Sequence, residues 1–218
     1  MIIGVCGFIG SGKDTIADYL TNFHGYRRES FANSLKDAVA QVFGWDRLLL
    51  EGRTKAAREW REIPDEWWSE RLGKPITPRY ILQQWGTEVC RKGFHDDIWI
   101  ASLENKLRNS KDSVVISDCR FPNEIKSIRN AGGIVIRVKR GPEPEWYSAA
   151  ESVNRGQYGN MNWALSKHHL EKLGIHASET AWVGTEFDAV MENDSSIEDL
   201  YKQVQALINP EPNHPAST

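Results

Sequence analysis

Residues 2–15 read Ile-Ile-Gly-Val-Cys-Gly-Phe-Ile-Gly-Ser-Gly-Lys-Asp-Thr, and no other stretch limits the chain's folding options as strongly. Ile2, Ile3, Val5 and Cys6 form a short apolar run closed by glycine, the pattern of a buried strand in a parallel sheet. Gly7, Gly10 and Gly12 then mark a turn, and from Lys13 onward Ile16, Ala17, Leu20 and Phe23 recur at helical spacing. Strand, glycine turn, lysine and helix in that order make a phosphate-binding loop of the form G-x4-G-K, running from Gly7 through Ser11 to Lys13. Glycines let successive backbone N–H groups turn inward around an anion, and the positive end of the helix dipole faces the same point. Lys13 extends a point charge toward the β- and γ-phosphates of a nucleotide. One position departs from the usual pattern. Asp14 stands where a hydroxyl is expected, and Thr15 comes next. An ionised carboxylate has no proton to donate. The phosphate contact is therefore expected from Thr15, with any metal held near Asp14 through water or mainly by the nucleotide.

The chain has 218 residues, 26% of them charged, and a formal net charge of −3. That length fits one α/β domain with insertions, and that charge gives no general nucleic-acid surface. Cys6, Cys90 and Cys119 are scattered and odd in number. Buried thiols in a reducing compartment fit them better than disulfides or a metal site. There is no signal-like N-terminal stretch and no apolar run of about 18 residues, so a cytoplasmic protein without a membrane partner is expected. The nine tryptophans are expected mainly in the core or between helices.

Strand and helix signals alternate along the chain, which predicts an α/β fold: a doubly wound, mainly parallel sheet flanked by helices. Residues 25–31 fit a short second strand. Residues 33–43 fit a helix capped by Asn33 or Ser34, with Leu35, Ala38, Val39, Val42 and Phe43 at its spacing. Residues 45–77 lack a clean period and read as an irregular helical insertion. Pro78 opens a helix over 79–92 with Ile81, Leu82, Trp85 and Val89 on one face, and another fits 97–109. Val114 to Asp118 is the clearest internal strand, followed by a helix over 122–131 and a strand over 134–139. Residues 141–174 form a polar insertion with a helix over 162–173. A last strand over 187–191 leads to a helix with capping-box spacing at Ser195 and Glu198. Residues 1–208 thus make a single domain, with the two insertions as acceptor-binding or lid candidates and 209–218 as a disordered tail.

Ligands of open α/β sheets collect beyond the carboxyl ends of the strands. That rule selects the phosphate loop, Ser30 and Phe31, Asp118 and Arg120, Arg140, and Asn193 with Asp194. Asp118 ends an apolar strand, where such proteins place a metal-organising carboxylate; the plain alternative is a turn or cap aspartate. Arg120 suits bidentate phosphate binding, or else an ion pair with Glu124. Arg140 is a phosphate-side candidate or a surface charge. Lys36 and Arg79 lie on predicted helices, where solvated side chains are common.

Several segments together resemble the phage deoxynucleoside monophosphate kinases. They are the Gly7–Thr15 loop, Phe31-Ala-Asn-Ser-Leu-Lys36, and Arg79-Tyr-Ile-Leu-Gln-Gln-Trp-Gly-Thr87. Val115-Ile-Ser-Asp-Cys-Arg120-Phe-Pro-Asn-Glu124, Gly132 to Arg140 and Glu192-Asn193-Asp194 continue the series. The resemblance runs in order through most of 1–208 and is weakest over 45–77 and 141–174. It implies a P-loop kinase fold that moves the ATP γ-phosphoryl group to a deoxynucleoside 5′-monophosphate, with Mg²⁺ as cofactor. By the same resemblance, Gly10, Gly12, Lys13 and Thr15 bind the donor. Lys36, Arg79 and Arg120 become candidate acceptor-phosphate or transition-state contacts, with Phe31 and Thr87 as further acceptor candidates; Lys13, Asp118 and Arg120 are the catalytic candidates, and Asp118 and Thr15 the candidates for the metal. A His-Ala-Ser-Glu segment at 176–179 is also similar, without a role that follows from its residues. A bacterial or phage-infected host is the implied setting, and a homodimer stays open.

Such chemistry needs little covalent help. The acceptor phosphate is already an anionic nucleophile, so catalysis consists of bringing two polyanions in line and excluding water. The Arg-bearing stretches 52–61 and 137–155 are lid candidates. Two rivals remain: a small-molecule P-loop kinase of the phosphomevalonate or dephospho-coenzyme A type, and a nucleotide-gated switch or motor ATPase. The second expects a glutamate directly after the strand-end aspartate, where this chain has Cys119, and an Asn-Lys-x-Asp guanine-reading segment is absent.

Overall fold

In a computed structural model of the chain, the described residues are 1–108, 110–156, 160–175 and 177–209. The tail expected to be disordered falls almost wholly outside them. The chain divides into two compact units: Met1–Glu29 together with the chain from Asp112 onward, and Ser30–Lys111.

The first unit is built on five parallel strands: β1 (Ile2–Cys6), β2 (Arg27–Glu29), β3 (Val114–Ile116), β4 (Ile134–Lys139) and β5 (Ala189–Glu192). Their order is β2-β3-β1-β4-β5. β1 is central and pairs with both neighbours, Ile3 opposite Val115 on one side and Ile134 on the other. Buried on both faces, β1, β3 and β4 are nearly continuous in Ile and Val, as expected for strands covered by helices. Because every strand runs the same way, the loops after their carboxyl ends gather along one edge.

Helix α1 (Lys13–His24) packs Ile16, Ala17 and Leu20 into this core with Val5, Val115, Ile136 and Val138. Phe23, expected on the same face, is 70% exposed. It lies one position beyond the stripe that Tyr19 and Leu20 complete, and its ring rests against Tyr19.

The second unit begins with α2 (Asn33–Phe43), followed by α3 (Arg47–Glu51), α4 (Lys55–Trp60) and α5 (Glu66–Leu72). Neither Asn33 nor Ser34 caps α2; its N-cap is Ala32. The reason lies one turn earlier, where the Ser30 hydroxyl accepts from the Ala32 N–H at 3.1 Å and the Ser30 carbonyl from Asn33 at 3.1 Å. The irregular insertion resolves into three short helices, each started by its own side-chain cap: Asp46, Thr54 and Asp65. Pro78 opens α6 (Pro78–Gln83) behind the Thr77 cap, and a π-helical stretch, Gln84–Lys92, continues it. The wider π turn explains why Val89, placed by α-helical spacing on the inner face, is 55% exposed, whereas Gly86 is buried. α7 (Ile98–Arg108) completes the unit. Its core is aromatic: Phe43 stacks on Trp45 at 4.7 Å, and Trp60, Trp68, Trp85 and Trp99 pack around them.

Returning to the first unit, α8 (Pro122–Asn130) follows β3, and α9 (Tyr147–Arg155), α10 (Met161–Leu173) and α11 (Ala177–Thr180) lie between β4 and β5. α12 (Ile197–Ile208) is capped one residue later than its sequence spacing suggests, Ser196 accepting from the Asp199 N–H at 3.1 Å. Cys6 and Cys119 are buried free thiols. No helix of the described residues is long and apolar enough to cross a membrane.

Asp65 both caps α5 and accepts the Trp45 indole N–H at 2.8 Å. Asp65→Ala is expected to lower stability by about 1–3 kcal/mol through the lost cap and the orphaned indole. Urea unfolding followed by tryptophan fluorescence measures it.

Candidate active site

The loop between β1 and α1 is held in shape by its neighbours. Gly7 has φ +146°, and a Cβ there would sit 2.4 Å from the Val138 carbonyl oxygen on β4. Gly12 has φ +111°, and a Cβ there would sit 2.5 Å from Asn193 Nδ2. No side chain could occupy either position. Asn193 follows β5, donates its backbone N–H to the Lys139 carbonyl at 2.8 Å, and donates its side-chain N–H to the Ser11 carbonyl at 2.7 Å. The loop is thus tied to the ends of β4 and β5.

No side chain caps the N-terminus of α1. Its first N–H groups and the helix dipole are aimed at the loop, and the Ser11 hydroxyl oxygen is buried without a hydrogen-bond partner among the described residues. These features fit a polyphosphate. Lys13 folds over the loop, its ammonium donating to the carbonyls of Gly7 at 2.8 Å and Phe8 at 2.6 Å. Burial and the nearby Arg120 charge lower its pKa, and Asp14 and Glu179 oppose that. Lys13, Asp14, Arg120 and Glu179 therefore share one electrostatic neighbourhood.

Arg120 stands two residues past β3. Its guanidinium reaches Glu179 on α11 at 3.4 Å. The alternative pairing with Glu124 takes another form: the buried Glu124 carboxylate accepts the backbone N–H groups of Arg120 at 2.8 Å and Phe121 at 3.1 Å. It thereby fixes the turn that projects Arg120 at the start of α8. Asp118, half-buried, directly precedes this turn. His176 lies outside the described residues, whereas Glu179 of the same segment is placed beside Arg120.

On the other side of the loop, Phe8 belongs to an aromatic group built by the 141–174 insertion and α11's neighbour Trp182. Its ring lies 4.7 Å from Trp182, 5.3 Å from Trp146 and 6.2 Å from Tyr147. Arg137 of β4 runs among these rings, donates to both Glu143 carboxylate oxygens at 2.7 Å, and bonds the Tyr147 hydroxyl at 3.0 Å. Beside it, Phe8, Ile9, Gly10, Ser11 and Lys139–Glu143 line an open pocket of about 210 Å³, with Arg140 on its rim. Arg140 is exposed, as its surface-charge alternative requires, but it borders the loop.

The remaining sequence candidates belong to the second unit. Phe31 is buried and Thr87 is exposed on the π-helical stretch. Lys36 pairs with Glu51 at 3.0 Å, and Glu51 also takes Arg47 at 2.7 Å. Arg79 pairs with Glu62, and its N–H bonds the Arg61 carbonyl at 3.0 Å. Arg61, which periodicity does not single out, lies against Gly52 with a buried Nε that lacks a partner among the described residues. Burial and the Arg79 charge lower its pKa. Lys36, Arg61 and Arg79 thus gather around Glu51 and Glu62. Glu179 beside Arg120 in the first unit, and Arg61 beside Arg79 in the second, are residues that sequence reasoning missed or left without a role; each lies in a short or aperiodic segment.

Arg137→Met is expected to lower stability by about 2 kcal/mol, because it leaves a half-buried carboxylate unpaired; urea titration reads this. At Glu51, burial alone would raise the carboxyl. The hydrogen bond from Arg47 and the charge of Lys36 outweigh it and hold the pKa at about 2, against an ordinary 4.5. Its stabilising contribution is full above pH 4.5 and lost as pH falls through about 2. Glu51→Gln should be less stable at neutral pH, with the gap from wild type closing between those values in a pH series of thermal melts.

No family model matches the chain. A protein of Acanthamoeba polyphaga mimivirus, named "Putative deoxynucleotide monophosphate kinase", is 29% identical, covering 96% of both chains. A "Deoxynucleoside-5'-monophosphate kinase" of Escherichia phage T5 is 27% identical over 59% of this chain and 72% of its own length. Among solved structures, shikimate kinase of Aquifex aeolicus covers 96% of both chains at 12% identity and a TM-score of 0.44, too distant to bear on the reading. The chain is a relative, along nearly its whole length, of a viral protein carrying the name of the kinase group that its motifs resemble.

Proposed function

We propose that this protein moves the γ-phosphoryl group of ATP to a deoxynucleoside 5′-monophosphate, giving the diphosphate for DNA precursor supply. One observation carries the reading: a phosphate cradle at the start of α1, in a chain similar over 96% of its length to a protein with that kinase name. We assign residues 1–208 to one kinase domain, in which 45–77 and 141–174 act as acceptor-binding or lid segments.

The loop from Gly7 to Gly12 and the α1 N–H groups bind the donor phosphates, joined by Thr15. Lys13 is held near the loop by two carbonyls, ready to exchange them for phosphate oxygens. Its lowered pKa reflects a charge already stripped of much of its water, so its attraction for an anion is strong. Arg120, positioned by Glu124 and steadied by Glu179, spreads the charge of the phosphoryl group in flight. Asn193 keeps the loop in register, and Arg140 borders the donor pocket. Lys36 and Arg79 take the acceptor phosphate, with Phe31 and Thr87 as further acceptor contacts.

For Mg²⁺, no group of three or more His, Cys, Asp or Glu among the described residues could hold an ion by itself. The Thr15 hydroxyl and the Asp118 carboxylate are hard oxygen donors, which fits a cation held mainly by nucleotide phosphates and water. When bound, Mg²⁺ would neutralise charge on the β- and γ-oxygens.

ADP release from Mg-ATP is to be measured with each deoxynucleoside monophosphate, the ribose counterparts, phosphomevalonate, dephospho-coenzyme A and a blank. Turnover with one or more deoxynucleotides and a silent blank is expected. Turnover in the blank alone would favour the ATPase reading. Lys13→Ala should abolish turnover, a loss of at least about a hundredfold, with an unchanged melting profile; an active folded variant would sink the assignment.

A further inference from the structure

Arg28 sits on β2 with only 18% of its side chain exposed. Its guanidinium gathers three acceptors: Asp18 at 2.8 Å, the Ser117 hydroxyl at 2.8 Å, and Asp14. Asp14 and Asp18 lie one turn apart on the first turns of α1, and Ser117 directly precedes Asp118. Three carboxylates therefore belong to the segments that border the phosphate loop. Asp14 is the residue that takes the place of the usual hydroxyl after the loop lysine, and its side chain is 79% exposed. A carboxylate at the start of a helix competes with a phosphate for the same dipole and repels it. Pairing with a nearby fixed cation removes most of that repulsion.

We propose that Arg28 is a positioning residue of the donor site. It neutralises Asp14, so that a helix start carrying a carboxylate accepts a polyphosphate, and it links that carboxylate to the strand end that bears Asp118. The inference rests on the reading of this loop as the donor site. The ligand concerned is the nucleoside triphosphate, through its charge rather than its base. A mainly structural Arg28 would instead serve to join β2, α1 and β3.

A double-mutant cycle separates the two. ATP binding without metal is measured by calorimetry, beside thermal melting, for wild type, Arg28→Met, Asp14→Asn and the double variant. Arg28→Met should weaken ATP about tenfold, and Asp14→Asn should tighten it several-fold, because a carboxylate is removed from the helix start while Arg28 keeps Asp18 as its one carboxylate partner there. The double variant should return to within about threefold of wild type. A double variant as weak as Arg28→Met overturns the proposal. If Arg28→Met does not fold, Arg28→Lys takes its place: ATP binding within about threefold of wild type, with the charge kept, supports the proposal, and a loss of about tenfold overturns it. Wild-type protein that binds no ATP would instead refute the donor-site reading itself.

Discussion

The uncapped start of α1 is the constraint on which the rest of the first unit depends. A helix leaves its first N–H groups without partners, and among the described residues six helices satisfy some of theirs with a side chain, from Asp46, Thr54, Asp65, Thr77, Asn160 and Ser196. α1 does not. The loop before it is instead pressed into a concave form by Val138 on β4, the neighbour of β1, and by Asn193, which follows β5, the next strand out.

Charge around the loop is balanced rather than simply positive. Burial and the Arg120 charge lower the pKa of Lys13, and Asp14 and Glu179 oppose them. The same economy holds in the second unit, where Lys36, Arg47 and Arg79 are each matched to Glu51 or Glu62. Cations held by carboxylates at partly exposed sites stay oriented yet exchangeable, since such pairs are weak in water.

The sheet was legible because buried parallel strands announce themselves as unbroken apolar runs. β1 and β4 fall on the residues their composition marks, and Gly7 and Gly12 take the positive φ that only glycine adopts readily. Helix faces were less legible. Phe23 and Val42 match an apolar period yet lie exposed, because a period cannot say where the stripe ends. Val89 went astray for a different reason, the change from α to π turns after Gln83. Arg28 was hidden in a three-residue strand, and Arg61 in an insertion whose short helices depend on caps rather than on periodicity. Glu124 showed its helix-start position but not its partners, since backbone N–H groups carry no sequence signature.

The Gln84–Lys92 stretch has a consequence for how this segment can vary. Each π turn accommodates one residue more than an α turn, so the stretch is equivalent to a helix that has absorbed added residues without breaking. Its length is therefore elastic. A chain one residue shorter here keeps the helix axis, the Pro78 start and the run into α7 while turning its outer side chains, Thr87 among them, to new directions. Change of length, rather than exchange of side chains, is the economical route by which this segment is retuned.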